Sequence, residues 1–180
     1  MAHLAELWSR IQKLKIDDQS QPGLGFVPRG VLADTFSLED ITHALAQLPF
    51  NVPLHRRESA SETIIERGLV VFATILESDL CQYLEQLLQE DLLDRRLPFS
   101  AIELEPILGE DAKRFISAQW TFLPHEFQYH AYHRRLPRGV VLPYTSMERI
   151  GKGRNSKVFK VKIHSTCNGL VRGQDEKVCA

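Results

Sequence analysis

The sequence predicts an α+β protein in which a mainly α-helical module, residues 1–140, precedes antiparallel strands in residues 141–180. Apolar residues recur at intervals of three and four through most of the first 123 residues, which is the spacing of one helical face. Residues 158–163 instead alternate apolar and charged side chains, as a half-buried strand does. Charge divides the chain at the same place, since residues 1–140 hold 14 basic and 20 acidic residues and residues 141–180 hold 8 and 3.

Composition excludes several classes of protein. With 43% hydrophobic and 25% charged residues the chain is typical of globular proteins, and a net charge of -1 disfavours nucleic-acid binding through overall positive charge. The longest apolar stretch, residues 69–76, is far shorter than the roughly 20 residues that span a bilayer, and the N-terminus lacks signal-peptide regions. Cys81, Cys167 and Cys179 are too widely spaced for a disulfide framework or a metal half-site. We therefore expect an intracellular, cytoplasmic protein.

Two helices are predicted before residue 49. The first covers residues 3–14, ends near Asp17 and carries an apolar face made of Leu4, Leu7, Trp8, Ile11 and Leu14. Residues 19–36 are rich in proline and glycine and predict an irregular connection. The second helix begins after Ser37, whose hydroxyl is placed to cap a first turn that contains Glu39 and Asp40.

Residues 61–93 carry the strongest helical pattern in the chain, an apolar series formed by Ile65, Leu69, Phe72, Leu76, Leu80, Leu84, Leu87 and Leu88. Ser78 and Asp79 predict a break into two packed helices, because both are favoured N-cap residues. Ser100 and Glu103 match another capping box, which precedes an amphipathic segment around residues 115–120. These stripes have ordinary helical spacing and are interpreted as core packing rather than as ligand contacts.

Residues 124–144 predict the connection between the two domains. Three prolines and Gly139 interrupt the helical pattern there, so the boundary is placed between residues 140 and 141. His125, His130 and His133 are spaced closely enough to bind a metal ion. No cysteine and only one acidic residue, Glu126, lie nearby, which favours a segment without a metal site.

A glycine-rich motif follows, and it reads Ile150, Gly151, Lys152, Gly153, Arg154, Asn155, Ser156, Lys157 and Val158. A Rossmann fingerprint needs a helix directly after its glycines, whereas here the following residues alternate like a strand. A Walker A loop needs G-x-x-x-x-G-K-[ST], which these residues do not supply. An ordinary β-hairpin with a glycine turn remains as one reading of the motif.

The motif also resembles the glycine-rich loop of protein kinases, G-x-G-x-x-G-x-V, which joins the first two strands of the kinase N-lobe and covers the phosphates of ATP. Ser156 takes the place of the third glycine. Residues 176–180 resemble the third kinase strand, in which an alanine stands two residues before the ATP-anchoring lysine. The resemblance implies an ATP site made by Ile150, Gly151, Lys152, Gly153, Arg154, Asn155, Ser156, Lys157, Val158 and Ala180, with no catalytic residue and no metal ligand.

Nearly the whole chain resembles the N-terminal region of a fungal family of large proteins that contain a protein kinase domain. The likeness rests on residues 94–100, 115–120, 141–144 and 160–164. In that family a helical leader of unassigned role precedes the kinase domain. On this comparison the chain stops before the third-strand lysine, and it lacks the helix C glutamate, the H-R-D-x-x-x-x-N loop and the D-F-G motif.

The resemblance therefore implies the N-terminal portion of a Ser/Thr-type protein kinase, inactive alone, which contributes an ATP-covering loop. Mg²⁺ would be bound only in a full-length parent. The alternative is a non-catalytic helical interaction or regulatory protein with a vestigial kinase-like tail. Either function implies a protein substrate or a regulatory protein partner. Nucleic acid is disfavoured, because the basic residues of the motif are interpreted as a solvated hairpin face with few aromatic side chains among them.

Overall fold

The first helix, α1 (Ala2–Leu14), turns its apolar face to the interior, where Leu7 and Ile11 are fully buried. The computed structural model describes residues 2–48, 54–129, 135–153 and 156–170. The helix predicted over residues 3–14 is confirmed, because spacing by three and four puts these side chains on one side. Its predicted end near Asp17 is wrong, since the helix ends at Leu14 and Ile16–Asp17 form a strand. Trp8, which the pattern assigned to the same face, is 45% exposed.

Residues 16–35 are more regular than the sequence predicts. Strands β1 (Ile16–Asp17) and β2 (Gly25–Phe26) pair in antiparallel fashion, and the short helix α2 (Val31–Thr35) follows. The expectation of an irregular connection over residues 19–36 is wrong to this extent. Strands of two residues are too short for an alternating pattern to reveal them.

Helix α3 (Leu38–Gln47) begins with the predicted capping arrangement. The Ser37 hydroxyl accepts the Asp40 N–H at 3.1 Å, and Asp40 Oδ2 accepts the Ser37 N–H at 3.0 Å. Arg10 of α1 donates to Asp40 Oδ1 at 3.0 Å and so ties α1 to α3. Burial alone would raise the pKa of Asp40, but the hydrogen bonds from Ser37 and the Arg10 charge outweigh it, and the pKa lies below its ordinary 3.8.

Helix α4 (Leu54–Thr63) runs through a π-helical turn (Ile64–Gly68) into α5 (Leu69–Ser78). The helical region thus begins at Leu54 rather than at Ser61, where the apolar pattern starts. The early turns were missed because α4 is polar on most of its surface, so hydrophobic periodicity carries little signal there.

The start of α5 is capped by a carboxylate from a distant part of the chain. A π turn interrupts the regular α-helical hydrogen bonding, so amides that follow it need other acceptors. Asp94 accepts the N–H groups of Val70 and Val71 at 3.0 and 2.9 Å. Burial raises the pKa of Asp94 and outweighs these bonds, which lower it.

Asp79 ends α5 rather than starting the next helix. Its φ of 55° is left-handed, and its backbone N–H bonds to carbonyls of the last turn of α5. The chain continues through a 3-10 turn (Cys81–Tyr83) into α6 (Leu84–Gln89). The predicted break is confirmed, but the reading of Ser78 and Asp79 as an N-cap pair is wrong, since aspartate also tolerates the left-handed conformation that terminates helices.

Two further helices complete the helical part. The capping box predicted at residues 100–103 opens α7 (Ala101–Leu108), and α8 (Ala112–Phe122) follows a short 3-10 turn. Gln119 of α8 is fully buried and exchanges two hydrogen bonds, of 2.9 and 3.0 Å, with the backbone of Phe99. This side-chain amide links α8 to the segment that leads into α7.

The hydrophobic core lies among these helices, and the predicted interpretation of the apolar stripes as core packing is confirmed. Helix α5 is central, because it packs against α8, α1 and α2. The core's largest fully buried side chains come from all parts of the helical region: Leu7, Ile11, Ile41, Leu45, Ile64, Phe72, Ile75, Leu80, Leu84, Leu87 and Phe115.

The described residues of the C-terminal region form four strands: β3 (Phe127–Gln128), β4 (Tyr144–Lys152), β5 (Lys157–Ile163) and β6 (Asn168–Gly169). Strands β4 and β5 form an antiparallel hairpin, whereas β3 pairs with β6 in parallel. Within the described residues no third strand joins either edge of the hairpin. The predicted strand over residues 158–163 is confirmed.

The mixed α+β class is confirmed, while the assignment of the strands to a kinase N-lobe stays a prediction. Val140 and Val141, at the predicted domain boundary, are buried, and the His125 N–H donates to the Val141 carbonyl at 3.0 Å. The division into two domains also stays a prediction.

In the described ranges, no helix has both the length and the apolar character needed to cross a membrane.

Candidate functional site

The candidate site is the hairpin formed by β4 and β5. Its pairing runs from Tyr144 opposite Ile163 to Lys152 opposite Lys157, with two irregularities. Each is a bulge, at Thr145 and at Ile150, where two residues of β4 span one of β5. Bulges redirect side chains and strengthen the local twist, and the second one lies directly before the first glycine of the motif.

Gly153 and Ser156 close the turn end of the hairpin. The Gly153 N–H donates to the Ser156 carbonyl at 2.8 Å. A Cβ atom on Gly153 would lie only 2.5 Å from the Ser156 hydroxyl oxygen. A larger residue at position 153 would therefore require the Ser156 hydroxyl to move.

Gly151 lies opposite Val158 in the register, and a Cβ atom there would lie 3.5 Å from the Val158 Cβ, an ordinary contact. Ile150 and Val158, which flank this glycine on the two strands, are 52% and 47% exposed. Two exposed aliphatic side chains therefore lie next to Gly151. An apolar ring can pack against such a surface with little rearrangement.

Basic side chains surround this apolar pair. Val158 shares its strand face with Lys160 and Lys162, because alternate residues of a strand point the same way. Lys152 and Lys157 face each other on the opposite side, and neither forms an ion pair with a described residue. Like charges in directly opposed positions repel each other, so the turn end of the hairpin favours an anion.

Three predicted site residues lie outside the described residues, namely Arg154, Asn155 and Ala180. The same is true of the third strand expected over residues 176–180. The structure brings together the other seven, which are Ile150, Gly151, Lys152, Gly153, Ser156, Lys157 and Val158.

The hairpin is joined to the helical part at its other end. The Gln19 N–H donates to the Tyr144 carbonyl at 3.1 Å. The ring of Tyr144 stacks on Phe127 with centroids 5.8 Å apart, and His164 meets Phe26 edge to face at 5.8 Å. These contacts orient the strands, and no local sequence pattern predicts them.

The junction contains a buried carboxylate. Asp18 Oδ1 accepts the Ser20 N–H at 2.8 Å and the Ser20 hydroxyl at 2.7 Å, while Oδ2 has no partner among the described residues. Burial and the negative charge of Asp18 raise the pKa of Tyr144, and burial lowers the pKa of His164. The Asp-x-Ser spacing indicates only a local turn, so no sequence signal identifies Asp18 as a neighbour of Tyr144.

The other reactive side chains that the structure describes are dispersed. His125 packs on Phe127 at 4.8 Å, while His130 and His133 lie outside the described residues. Among the residues with assigned positions, no group of three His, Cys, Asp or Glu side chains could hold a metal ion. Burial raises the pKa of the Cys81 thiol to about 11, which makes it a poor nucleophile.

No family model, no curated protein and no solved structure matches the chain.

Proposed function

We propose that the chain is the N-terminal portion of a Ser/Thr-type protein kinase and that the β4–β5 hairpin covers bound ATP. The observation that carries this proposal is the position of the motif on the hairpin. The glycines and Ser156 lie at the turn end of two antiparallel strands, and the exposed pair Ile150 and Val158 lies directly beside them. This is the order of parts that a nucleotide-covering loop requires.

Each part has a distinct role in this proposal. Gly153 has no side chain, which lets the turn approach a phosphate group closely. Ile150 and Val158 provide an apolar surface for the adenine ring. Lys152 and Lys157 project from the opposite face to Val158, so they contribute positive potential at the turn rather than direct contacts with the ring. The acceptor hydroxyl and Mg²⁺ would be held by parts of a parent protein that this sequence does not contain.

A non-catalytic interaction protein is the second candidate function. The observation in its favour is that the hydrophobic core is built from the helical part of the chain, residues 7–122, without a contribution from the hairpin. A helical part with a core of its own could bind a partner whether or not the hairpin binds a nucleotide.

The decisive test is to read the native transcript through and beyond the Ala180 codon. We expect the frame to continue into an apolar residue and a lysine, and later into H-R-D and D-F-G motifs. A stop codon directly after Ala180, together with an endogenous protein mass near 20.6 kDa, would contradict the kinase proposal and favour the interaction protein.

A second test uses the 180-residue chain and NMR. ATP is expected to shift the amide signals of Gly153 and Lys157 and the methyl signals of Ile150 and Val158. Inorganic triphosphate should shift the amide signals alone. Ile102, which is 85% exposed on α7, is the control methyl group. No shift at about 10 mM ATP, or an equal shift of Ile102, would contradict the assignment of the adenine surface.

A further inference from the structure

A groove of about 490 Å³ opens between α4 and α6 on the helical part of the molecule. It lies outside the hairpin, and the proposed function does not use it. Its lining mixes basic, small polar and aliphatic side chains: Arg56, Ser59, Ala60, Thr63, Arg67, Glu85, Leu88 and Gln89. Its volume falls in the range of sites that bind ligands.

One wall of the groove is a regular stripe along a single helical face. The residues from Arg56 to Arg67 that line it are spaced by three and four. Ala60 and Leu88 are partly buried against the hydrophobic core, so they form an apolar floor between the two arginines. Both arginines are exposed. The wall therefore presents a positive charge at each end and an apolar centre.

The positive charge of the groove is only partly balanced. Arg56 forms no ion pair with a described residue. Arg67 forms an ion pair with Asp91, with 4.0 Å between the Arg67 nitrogen and the carboxylate oxygen. Asp91 also forms an ion pair with Arg95. Glu85 is the single acidic residue in the lining, and it accepts a hydrogen bond from Gln89 at 3.2 Å. With Asp91 counted, Arg56, Arg67 and Arg95 stand against two carboxylates, and the excess guanidinium group, that of Arg56 at the start of α4, favours an anionic ligand.

The π-helical turn supports a binding role for this face. Arg67 lies within the turn, and Thr63 lies directly before it. Single π turns inside helices cost regular hydrogen bonds and occur frequently at functional sites. Here the cost is offset from a distance by Asp94, which accepts two amides of α5. A specific tertiary contact therefore stabilises the backbone that follows the π-helical turn.

We propose that this groove binds an acidic peptide segment of a partner protein. Arg56 and Arg67 are separated by roughly 16 Å along the helix, since eleven residues rise about 1.5 Å each. One phosphate group cannot satisfy both arginines over that distance without strong bending of both side chains. Residues four apart in an extended peptide lie on the same face about 13 Å apart, a distance that the two long arginine side chains can bridge. Two acidic side chains at that spacing reach the two arginines, and a small apolar residue between them packs on Ala60 and Leu88.

The test uses fluorescence anisotropy with the full 180-residue chain and fluorescein-labelled peptides. The probe peptide is Gly-Glu-Ala-Leu-Ala-Glu-Gly, in which the two glutamates are four residues apart and share one face of the extended peptide with the leucine between them. The comparison peptides replace both glutamates by lysine, or place the two glutamates side by side. We expect saturable binding of the probe, at least about tenfold weaker binding of both comparison peptides, and a loss of affinity as salt concentration rises.

Protein variants separate the groove from general electrostatic attraction. Arg56→Glu and Arg67→Glu are each expected to weaken binding of the probe by about tenfold or more. Arg135→Glu is the matched control, because it makes the same charge change at another exposed position. Arg56→Gln and Arg67→Gln, checked by circular dichroism, should give a smaller loss in the same direction, which guards against misfolding of the glutamate variants.

Three outcomes would overturn the proposal. The first is the absence of saturable binding of the probe up to about 1 mM. The second is an equal loss of affinity in Arg135→Glu and in the groove variants. The third is equal binding of the peptide with adjacent glutamates, which would show that a single anionic centre rather than an extended segment is recognised. None of these results bears on ATP binding by the hairpin.

Discussion

The helical part of the molecule and the β4–β5 hairpin are stabilised in different ways. In the helical part, side chains from many elements are fully buried in one core. In the hairpin, Phe159, Val161 and Ile163 are half-buried, and Ile150 and Val158 are exposed. A two-stranded hairpin is marginally stable by itself, so this one depends on its contacts with residues 19, 26 and 127. The comparison separates a part with a hydrophobic core of its own from a part whose apolar side chains remain half-buried or exposed.

The largest expected effect tests the core. Phe72→Ala removes a fully buried ring of α5 and is expected to lower the free energy of unfolding by about 3–5 kcal/mol. Phe159→Ala, which changes a half-buried side chain of the hairpin, should cost far less, about 1 kcal/mol. Urea unfolding followed by circular dichroism measures both. Ile102→Ala, at an exposed site, serves as the control, and equal losses for Phe72→Ala and Phe159→Ala would contradict the comparison.

The next largest effect concerns the capping of α5 by Asp94. Asp94→Ala removes the acceptor of two buried amides, those of Val70 and Val71, and should cost about 1–3 kcal/mol of stability. Asp94→Asn keeps one acceptor and should lose less. Asp34→Ala changes an exposed aspartate and is the control. Hydrogen exchange should become faster first at the start of α5, and an unchanged exchange rate there would contradict the assigned role.

A smaller effect concerns pH. The pKa of Asp40 lies below its ordinary 3.8 in the folded protein, so the unfolded chain takes up the proton more readily. The stability contributed by the ionised group is present above 3.8 and is lost as the pH falls through the lower folded value. Asp40→Asn should therefore unfold with a weaker dependence on pH in this acidic range. Thermal unfolding between about pH 2 and 5 is the measurement, and an unchanged dependence would contradict it.

The smallest effect on global stability belongs to the hairpin turn. Gly153→Ala places a Cβ atom against the Ser156 hydroxyl and should make the hairpin amides exchange faster, while global unfolding changes by less than about 0.5 kcal/mol. Ser156→Ala removes that hydroxyl, so the double variant should recover most of the protection. Failure of the second substitution to rescue the first would show that the contact between residues 153 and 156 does not limit the turn.

Part of the fold was readable from local patterns. The capping boxes at Ser37 and Ser100, the first helix and the strand over residues 158–163 follow from interactions among residues within four positions of one another. Helix α4 was placed too late, because its polar surface carries no apolar stripe. The candidate turn was located by its glycines, yet the contact that a side chain at residue 153 would make with the Ser156 hydroxyl is visible only in the structure.

The sequence by itself determined the first helix, the capped starts of α3 and α7, the strand over residues 158–163 and the position of the glycine turn, since these depend on neighbouring residues. Tertiary structure alone decided that Asp94 caps α5, that Asp18 lies beside Tyr144, and that the face carrying Arg56 and Arg67 forms a groove with α6. The physical reason is separation along the chain. Such contacts join residues that share no local pattern and meet only after the hydrophobic core has brought their helices and strands together.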